Sequence, residues 1–282
     1  MNQFIPLLLL KEFFSSQKLV RIPEVMVMRS ENQTNEFNQS GFEDSALKAS
    51  YLFHAYWASR TINKSTKVLD LGVGPGNQLS YIALMNPNIQ FFGVDLSENM
   101  LKLAQENFKK LNIKNVELIC DDISTLKNLN SNEFDGVISS VALHHLNSFN
   151  DLENTFKSLK RVLTKEFSMY ITDFLLFKNP ESVDQLIALS KDQSPEFLLD
   201  YKNSLKAAFN KKDFLSIRNS LFPQVKVHLS FIAEFLIILK TASHPINKTA
   251  KMFIENELDQ LGKESKKIYK DICYLFIPSG LF

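Results

Sequence analysis

Between Lys64 and Leu176 the hydrophobic period of the chain switches again and again between that of a strand and that of a helix. "TKVLDLG" is a short strand of the buried type. "NQLSYIALMN" follows it with Leu79, Ile82 and Ala83 at helical spacing, until Asn86, Pro87 and Asn88 stop the run. "IQFFGVD" is a second strand. Ser97 is placed to cap the next helix, whose inner face is expected to be Met100, Leu101, Ala104, Phe108 and Leu111. "VELIC" and "FDGVISSV" are two more strands. "NDLENTFKSLKRVLT" is a helix with Leu152, Phe156, Leu159 and Leu163 on one side, and "FSMYITDF" is a fifth strand. Strands that alternate with helices of this length build right-handed crossovers on a parallel sheet. The fold class is therefore α/β, doubly wound and Rossmann-like.

The flanks have a different grain. Residues 1–63 read as a helical N-terminal segment or lid, broken at Pro23 and by the polar stretch "RSENQTNEFNQSG". Residues 64–176 form the core, and 177–224 a helical insertion over the substrate side, punctuated by Pro180, Pro195 and Pro223. "VKVHLSF" and "AEFLIILKTA", within 225–244, are expected to close the sheet as an antiparallel hairpin at its edge. Residues 245–282 form a Lys/Glu-rich helical extension. Its aromatic end "IYKDICYLFIPSGLF" is expected to pack on the chain or to cover a second subunit in a homo-oligomer.

Composition removes several function classes. Thirty-two basic against thirty-one acidic side chains leave a net charge of +1, so no global field recommends a nucleic acid or an anionic membrane. The N-terminal run "FIPLLLL" is far short of the roughly 20 apolar residues a bilayer span needs, and it lacks the flanks of a signal peptide. It reads as one face of a short helix. Cys120 and Cys273 are far apart and show no metal spacing, which suits a reducing compartment, so the expected location is the cytoplasm. No metal is expected either. The five histidines have no zinc spacing, and adjacent His144 and His145 are not expected to reach one ion together.

The chain has only eight glycines, yet Gly72, Gly74 and Gly76 fall within five residues at the end of the first strand. A turn without β-carbons lets a ligand approach the backbone, and the helix behind it aims free N–H groups at the same spot. Asp95 ends the second strand about 20 residues beyond the last glycine, where a carboxylate accepts both hydroxyls of a ribose, with Leu96 beside it. Asp122 follows the third strand, placed to accept from an adenine amine while Ile123 covers the ring. These residues emerge at the carboxyl ends of adjacent strands, where a doubly wound sheet opens its crevice. The ligand therefore contains a nucleoside. A dinucleotide fingerprint runs G-x-G-x-x-G and cradles a pyrophosphate, whereas here the third glycine comes one residue early. Asp70, two residues before the first glycine, would repel an anion. It would welcome an amino group and a sulfonium, which favours S-adenosylmethionine over NAD.

In order and spacing, "VLDLGVGPGN", "FFGVDLSENML", "ICDDISTL" and "FDGVISSVALHHL" resemble the successive motifs of the class I S-adenosylmethionine-dependent methyltransferases. "RIPEVMVM", "DFLLFKNPES" and "SLKAAF" resemble, more loosely, the flanks of one bacterial subfamily of largely unassigned substrate. The resemblance implies a methyltransferase that uses S-adenosylmethionine and releases S-adenosylhomocysteine. It implies Asp70 and Gly72 near the methionine moiety, Gly74 and Gly76 at the turn, Asp95 on the ribose and Asp122 on the adenine. Ser139 and Ser140 would line the methionine side, although the subfamily usually carries an amide where Ser140 stands. Its members also tend to carry Arg-Pro after the position of Asp173, and no arginine occurs here from Phe174 to Pro180.

Catalytic groups are harder to read, because displacement on a sulfonium needs mainly alignment and exclusion of water. His145, in "LHHL", is a candidate proton acceptor beside the methyl group, or a residue that fills the loop; His144 is a weaker candidate for the same part. Asp173, at the end of the fifth strand, either orients a substrate amine or caps the next helix. Tyr51, His54 and Tyr56 either close over the site or form a buried aromatic face, and Tyr201 has the same two readings within the cap. The expected reaction is methyl transfer to an O, N, S or C nucleophile of a small molecule. A cofactor-binding scaffold without activity and a nicotinamide-dependent oxidoreductase are the rival readings.

Overall fold

A computed structural model describes residues 12, 14–16, 19–24, 41–188, 194–231 and 233–281. The run "FIPLLLL" and nearly all of "RSENQTNEFNQSG" lie outside the described residues. The centre is a seven-stranded sheet in the order β3-β2-β1-β4-β5-β7-β6. Strands β1 (Lys67–Leu71), β2 (Gln90–Asp95), β3 (Val116–Cys120), β4 (Phe134–Ser140) and β5 (Leu163–Phe174) are parallel. The last two, β6 (Lys226–Leu229) and β7 (Leu236–Lys240), are antiparallel. The expected hairpin is present with a twist of order: β7 inserts beside β5, pairing Thr172 with Ile238, and β6 takes the edge.

Alternation along the strands sorts the core into two layers. Val68, Phe91, Ile138, Tyr170 and Ile238 face one side, where they meet α1 (Ala46–Ile62), α2 (Asn77–Met85), α8 (Lys248–Gln260) and α9 (Lys263–Phe276). Leu69, Leu71, Val137, Met169, Ile171, Ile237 and Leu239 face the other, against α4 (Phe149–Val162) and α7 (Lys211–Leu221). The remaining helix between strands, α3 (Glu98–Lys110), is capped by Ser97, whose hydroxyl accepts from the Met100 amide, as its sequence led one to expect. Two helical assignments shift. Leu111 is the exposed C-cap of α3 and takes no part in its inner face, and Leu163 already belongs to β5.

Helix α1 is buried nearly all round, because the sheet covers one side of it and α9 the other. Phe53 stacks on Phe276 at 5.7 Å. The aromatic run "YLFHAYW" therefore fills the core, except for Tyr56, which is half-buried at its margin. His54 is 3% exposed, and its Nδ1 lies 2.7 Å from the Tyr170 hydroxyl; burial pushes this imidazole down to about 3, so it is neutral. The C-terminal aromatic stretch packs on the chain itself, with Phe276 and Leu281 buried. Among the described residues, no helix is long and apolar enough to cross a membrane.

Above the carboxyl ends of the parallel strands sit α5 (Pro180–Ala188) and α6 (Pro195–Ala207), with a small apolar core of their own around Phe177, Val183, Leu205 and Phe235. Helix α6 contacts the one-turn 3-10 helix Leu143–His145 that follows β4.

Candidate active site

The glycine turn joins β1 to α2, and all three glycines have positive φ: +68° at Gly72, +53° at Gly74 and +76° at Gly76. Their surroundings differ. A β-carbon on Gly72 would lie 2.4 Å from that of Ala142, and one on Gly76 would lie 2.6 Å from the Phe108 ring. These two glycines let the turn pack against the protein. A β-carbon on Gly74 meets nothing within 4 Å, so Gly74 is the one that faces open space, as the floor of a ligand site must.

Asp95 ties the turn to the end of β2. One carboxylate oxygen accepts from the Gly74 amide and the other from the Ser97 amide, both at 2.9 Å. Each oxygen keeps a lone pair for a further donor, such as a ribose hydroxyl. Burial raises its pKa, against the pull of those amides. Asp70 is 5% exposed and accepts no hydrogen bond among the described residues; burial, then the Asp95 charge, hold its pKa well above the usual carboxylate range. A buried acid without a donor is costly and is relieved by a cationic ligand.

The next loop divides its work between neighbouring acids. Asp121, which the sequence did not single out, is buried and accepts from the Asp122 and Asn128 amides, both at 2.9 Å. Asp122 is half-buried, with one oxygen bonded to the Ser124 amide at 2.8 Å, and Ile123 packs against the core layer that contains Leu69 and Val137. Leu96 is exposed. Ser139 is fully buried and its hydroxyl donates to the Leu71 carbonyl at 2.9 Å, which spends it on the β1–β4 pair; Ser140 is half-buried at the strand end. Val141 follows with φ +53°, a conformation that a β-branched residue adopts only under strain.

Asp173 is 0% exposed, and both of its oxygens are engaged within the chain. One oxygen accepts from the Leu143 and His144 amides at 2.7 and 3.1 Å, the other from the Phe174 amide and from His144 Nδ1 at 2.7 and 2.8 Å. It thus fixes the 3-10 turn that precedes it in the chain; it neither caps the next helix nor faces an open crevice. His145 keeps about a third of its side chain exposed, and burial, then His144, lower its pKa well below that of a free imidazole.

The two histidines converge, contrary to expectation. Their ring centroids are 4.1 Å apart, and ligand atoms of His144, His145 and Glu24 all lie within 4.8 Å of one another. The cause is the clamp on this turn. Asp173 holds it from one side, and from the other Arg21 donates to the carbonyls of Asn147 at 2.8 Å, His144 at 3.0 Å and Leu146. Arg21 also donates to the Ala207 carbonyl of α6 at 2.7 Å and lies 3.8 Å over the Phe209 ring. Glu24, three residues on, is thereby delivered to the histidines. Neither Arg21 nor Glu24 carries a local signature, beyond their place in "RIPEVMVM".

A family model described as a methyltransferase domain matches residues 62–220. Over 143 residues the chain is 29% identical to a tRNA (guanine-N(7)-)-methyltransferase of Mycoplasmopsis synoviae, covering 50% of this chain and 58% of that protein. Over 154 residues it is 29% identical to a malonyl-[acyl-carrier protein] O-methyltransferase of Bacillus cereus, covering 54% and 52%. The chain thus spans only a little over half the length of these curated relatives. Among solved structures, the plantazolicin methyltransferase BpumL, in complex with a pentazolic desmethylPZN analog and SAH, has the same fold. Its TM-score is 0.53 at 21% identity, over 94% of this chain and 95% of that one.

Proposed function

The chain belongs to the methyltransferase-domain family, and on that premise we propose that it is a class I S-adenosylmethionine-dependent methyltransferase that methylates a small molecule at an O, N, S or C nucleophile. The nicotinamide reading falls with that membership. The observation that carries the cofactor site is the open, positive-φ Gly74 bonded to the Asp95 carboxylate, whose charge is felt by Asp70, an acid that accepts no hydrogen bond among the described residues. Residues of this type fit a cationic sulfonium nucleoside. Asp70 would take the positively charged methionine end, Asp95 the ribose hydroxyls, Asp122 the adenine amine with Ile123 and Leu96 beside the base, and Ser140 the methionine side. The bound cofactor supplies an already activated methyl group, so this chain's task is to align the acceptor and keep water out.

His145 lines the acceptor side. Asp173 acts through His144 and the turn, as a positioning residue. Segment 19–24 and α6 cover this side: the Leu19 and Ile22 amides donate to the Lys178 and Lys206 carbonyls, both at 2.9 Å. The wall they bring carries Glu24 and Asp200, two acids whose pKa values are raised by burial. These two half-buried carboxyls offer a phosphate no counter-charge, which supports a small neutral or cationic acceptor over RNA. Both cysteines are free, which suits the cytoplasm.

The test is transfer of label from methyl-labelled S-adenosylmethionine to two pools, a small-molecule extract and bulk tRNA. Asp95→Ala serves as the binding-deficient control. We expect label in the small-molecule fraction only, and at least about a tenfold weaker cofactor affinity in the variant, since charged hydrogen bonds are lost. Label in tRNA would replace the acceptor class. Tight cofactor binding with no transfer to either pool would make the chain a scaffold, and unchanged affinity in Asp95→Ala would displace the proposed site.

A further inference from the structure

We propose that Glu24, His144 and His145 form a binding site for a divalent transition-metal cation, with zinc as its natural fit. Three observations converge. Ligand atoms of the three side chains lie within 4.8 Å of one another, although Glu24 is some 120 residues away in sequence. His144 is 1% exposed and its Nε2 has no hydrogen-bond partner among the described residues, while its Nδ1 sits 2.8 Å from Asp173. His145 Nδ1 is likewise buried without a hydrogen bond, 3.4 Å from Glu24 Oε2.

The Asp173 contact fixes the chemistry. Both of its oxygens are already acceptors for backbone amides, so His144 Nδ1 donates its ring proton and Nε2 is left with a bare lone pair. A carboxylate that orients a ligating imidazole in this way raises its basicity and sets its direction. A buried nitrogen lone pair with no donor costs free energy that a metal ion recovers. Two imidazoles and one carboxylate suit zinc and its first-row neighbours better than magnesium or calcium, which prefer oxygen.

Charge points the same way. Among the described residues, the Glu24 carboxylate accepts from the Ser204 hydroxyl at 3.2 Å and has no lysine or arginine ion pair. Arg21, three residues before Glu24, spends its donors on four carbonyls. Three protein ligands would leave a position for water or for an oxygen, nitrogen or sulfur of another molecule. The proposal does not depend on the identity of the methyl acceptor or on methyl transfer at all.

The test is titration of the chelator-stripped full chain with Zn²⁺ by calorimetry, and with Co²⁺ by visible absorption. Parallel titrations use Glu24→Gln and His145→Ala, both at positions less buried than His144. We expect one equivalent bound, cobalt bands of a four-coordinate nitrogen and oxygen site, and affinity weakened by more than about 100-fold in each variant, beyond the usual cost of losing an outer-sphere partner. Should His145→Ala fail to fold, the cobalt spectrum of the unaltered chain and the Glu24→Gln titration decide. The proposal is overturned by the absence of saturable binding, by undiminished affinity in Glu24→Gln, or by a thiolate-to-cobalt charge-transfer band, which would put the ion on a cysteine.

Discussion

Asp70 concentrates the conflict between stability and binding in one carboxyl. Burial and the Asp95 charge raise its pKa in the folded chain, so its proton is held more tightly there than in the unfolded chain. Its contribution to stability is complete below the ordinary pKa of about 4 and is lost as the pH rises through the raised folded value. Asp70→Asn should therefore melt higher than the parent near neutral pH, with a difference that shrinks as the pH is lowered toward about 4, and it should bind S-adenosylhomocysteine more weakly. Thermal denaturation across that pH range, with calorimetry at one pH, checks both. A gap that stays constant with pH would mean that Asp70 is not strained by its burial. At this scale the sequence was informative where chemistry is local. The glycine spacing and the acids Asp70 and Asp95 stand together at the turn. It treated the three glycines alike, and only Gly74 faces open space, because that depends on where Ala142 and Phe108 come to rest.

At the scale of elements, segment 19–24 behaves as a strap across the strand ends. Its hold is the Arg21 fork, which reaches carbonyls on the 3-10 turn and on α6 at once. A lysine is a point charge on a flexible stem and cannot serve the same set of acceptors. Arg21→Lys should lower kcat/KM for methyl transfer by about tenfold or more, for a loss of at least one charged hydrogen bond. Cofactor affinity should stay within about twofold, since the strap touches neither the glycine turn nor Asp95. Steady-state kinetics beside cofactor titration separates the two; an equal loss in both would tie the strap to the cofactor. Periodicity located α3 and α4 because each buries one face, and α2 and the parallel strands as short apolar runs, of which β1 and β4 are buried on both sides. It erred at Leu111 and Leu163, where an apolar residue sits one step past the end of a helix and is claimed by a cap or by the next strand.

At the scale of the whole molecule, the C-terminal extension covers the layer of the core that contains Phe53 and Tyr170. Phe276, fully buried, stacks on Phe53 of α1, which in turn rests on the sheet near Tyr170. Phe276→Ala should destabilise the chain by about 3–5 kcal/mol, the usual cost of emptying a large aromatic site. Denaturant unfolding would measure it. A loss below about 1 kcal/mol would mean that α9 is an appendage and not part of the core.

By itself the sequence determined the doubly wound sheet, the order of its motifs and the acids around the glycine turn. Hydrophobic period, turn chemistry and residue spacing act within a few residues of one another, and a reader of the chain sees them directly. Tertiary structure alone decided that "YLFHAYW" is core apart from Tyr56, that Asp173 serves His144, and that Glu24 meets two adjacent histidines. Those outcomes join residues tens to more than a hundred positions apart. They follow from which surfaces pack and which carbonyls a single guanidinium can reach, and no local pattern encodes that.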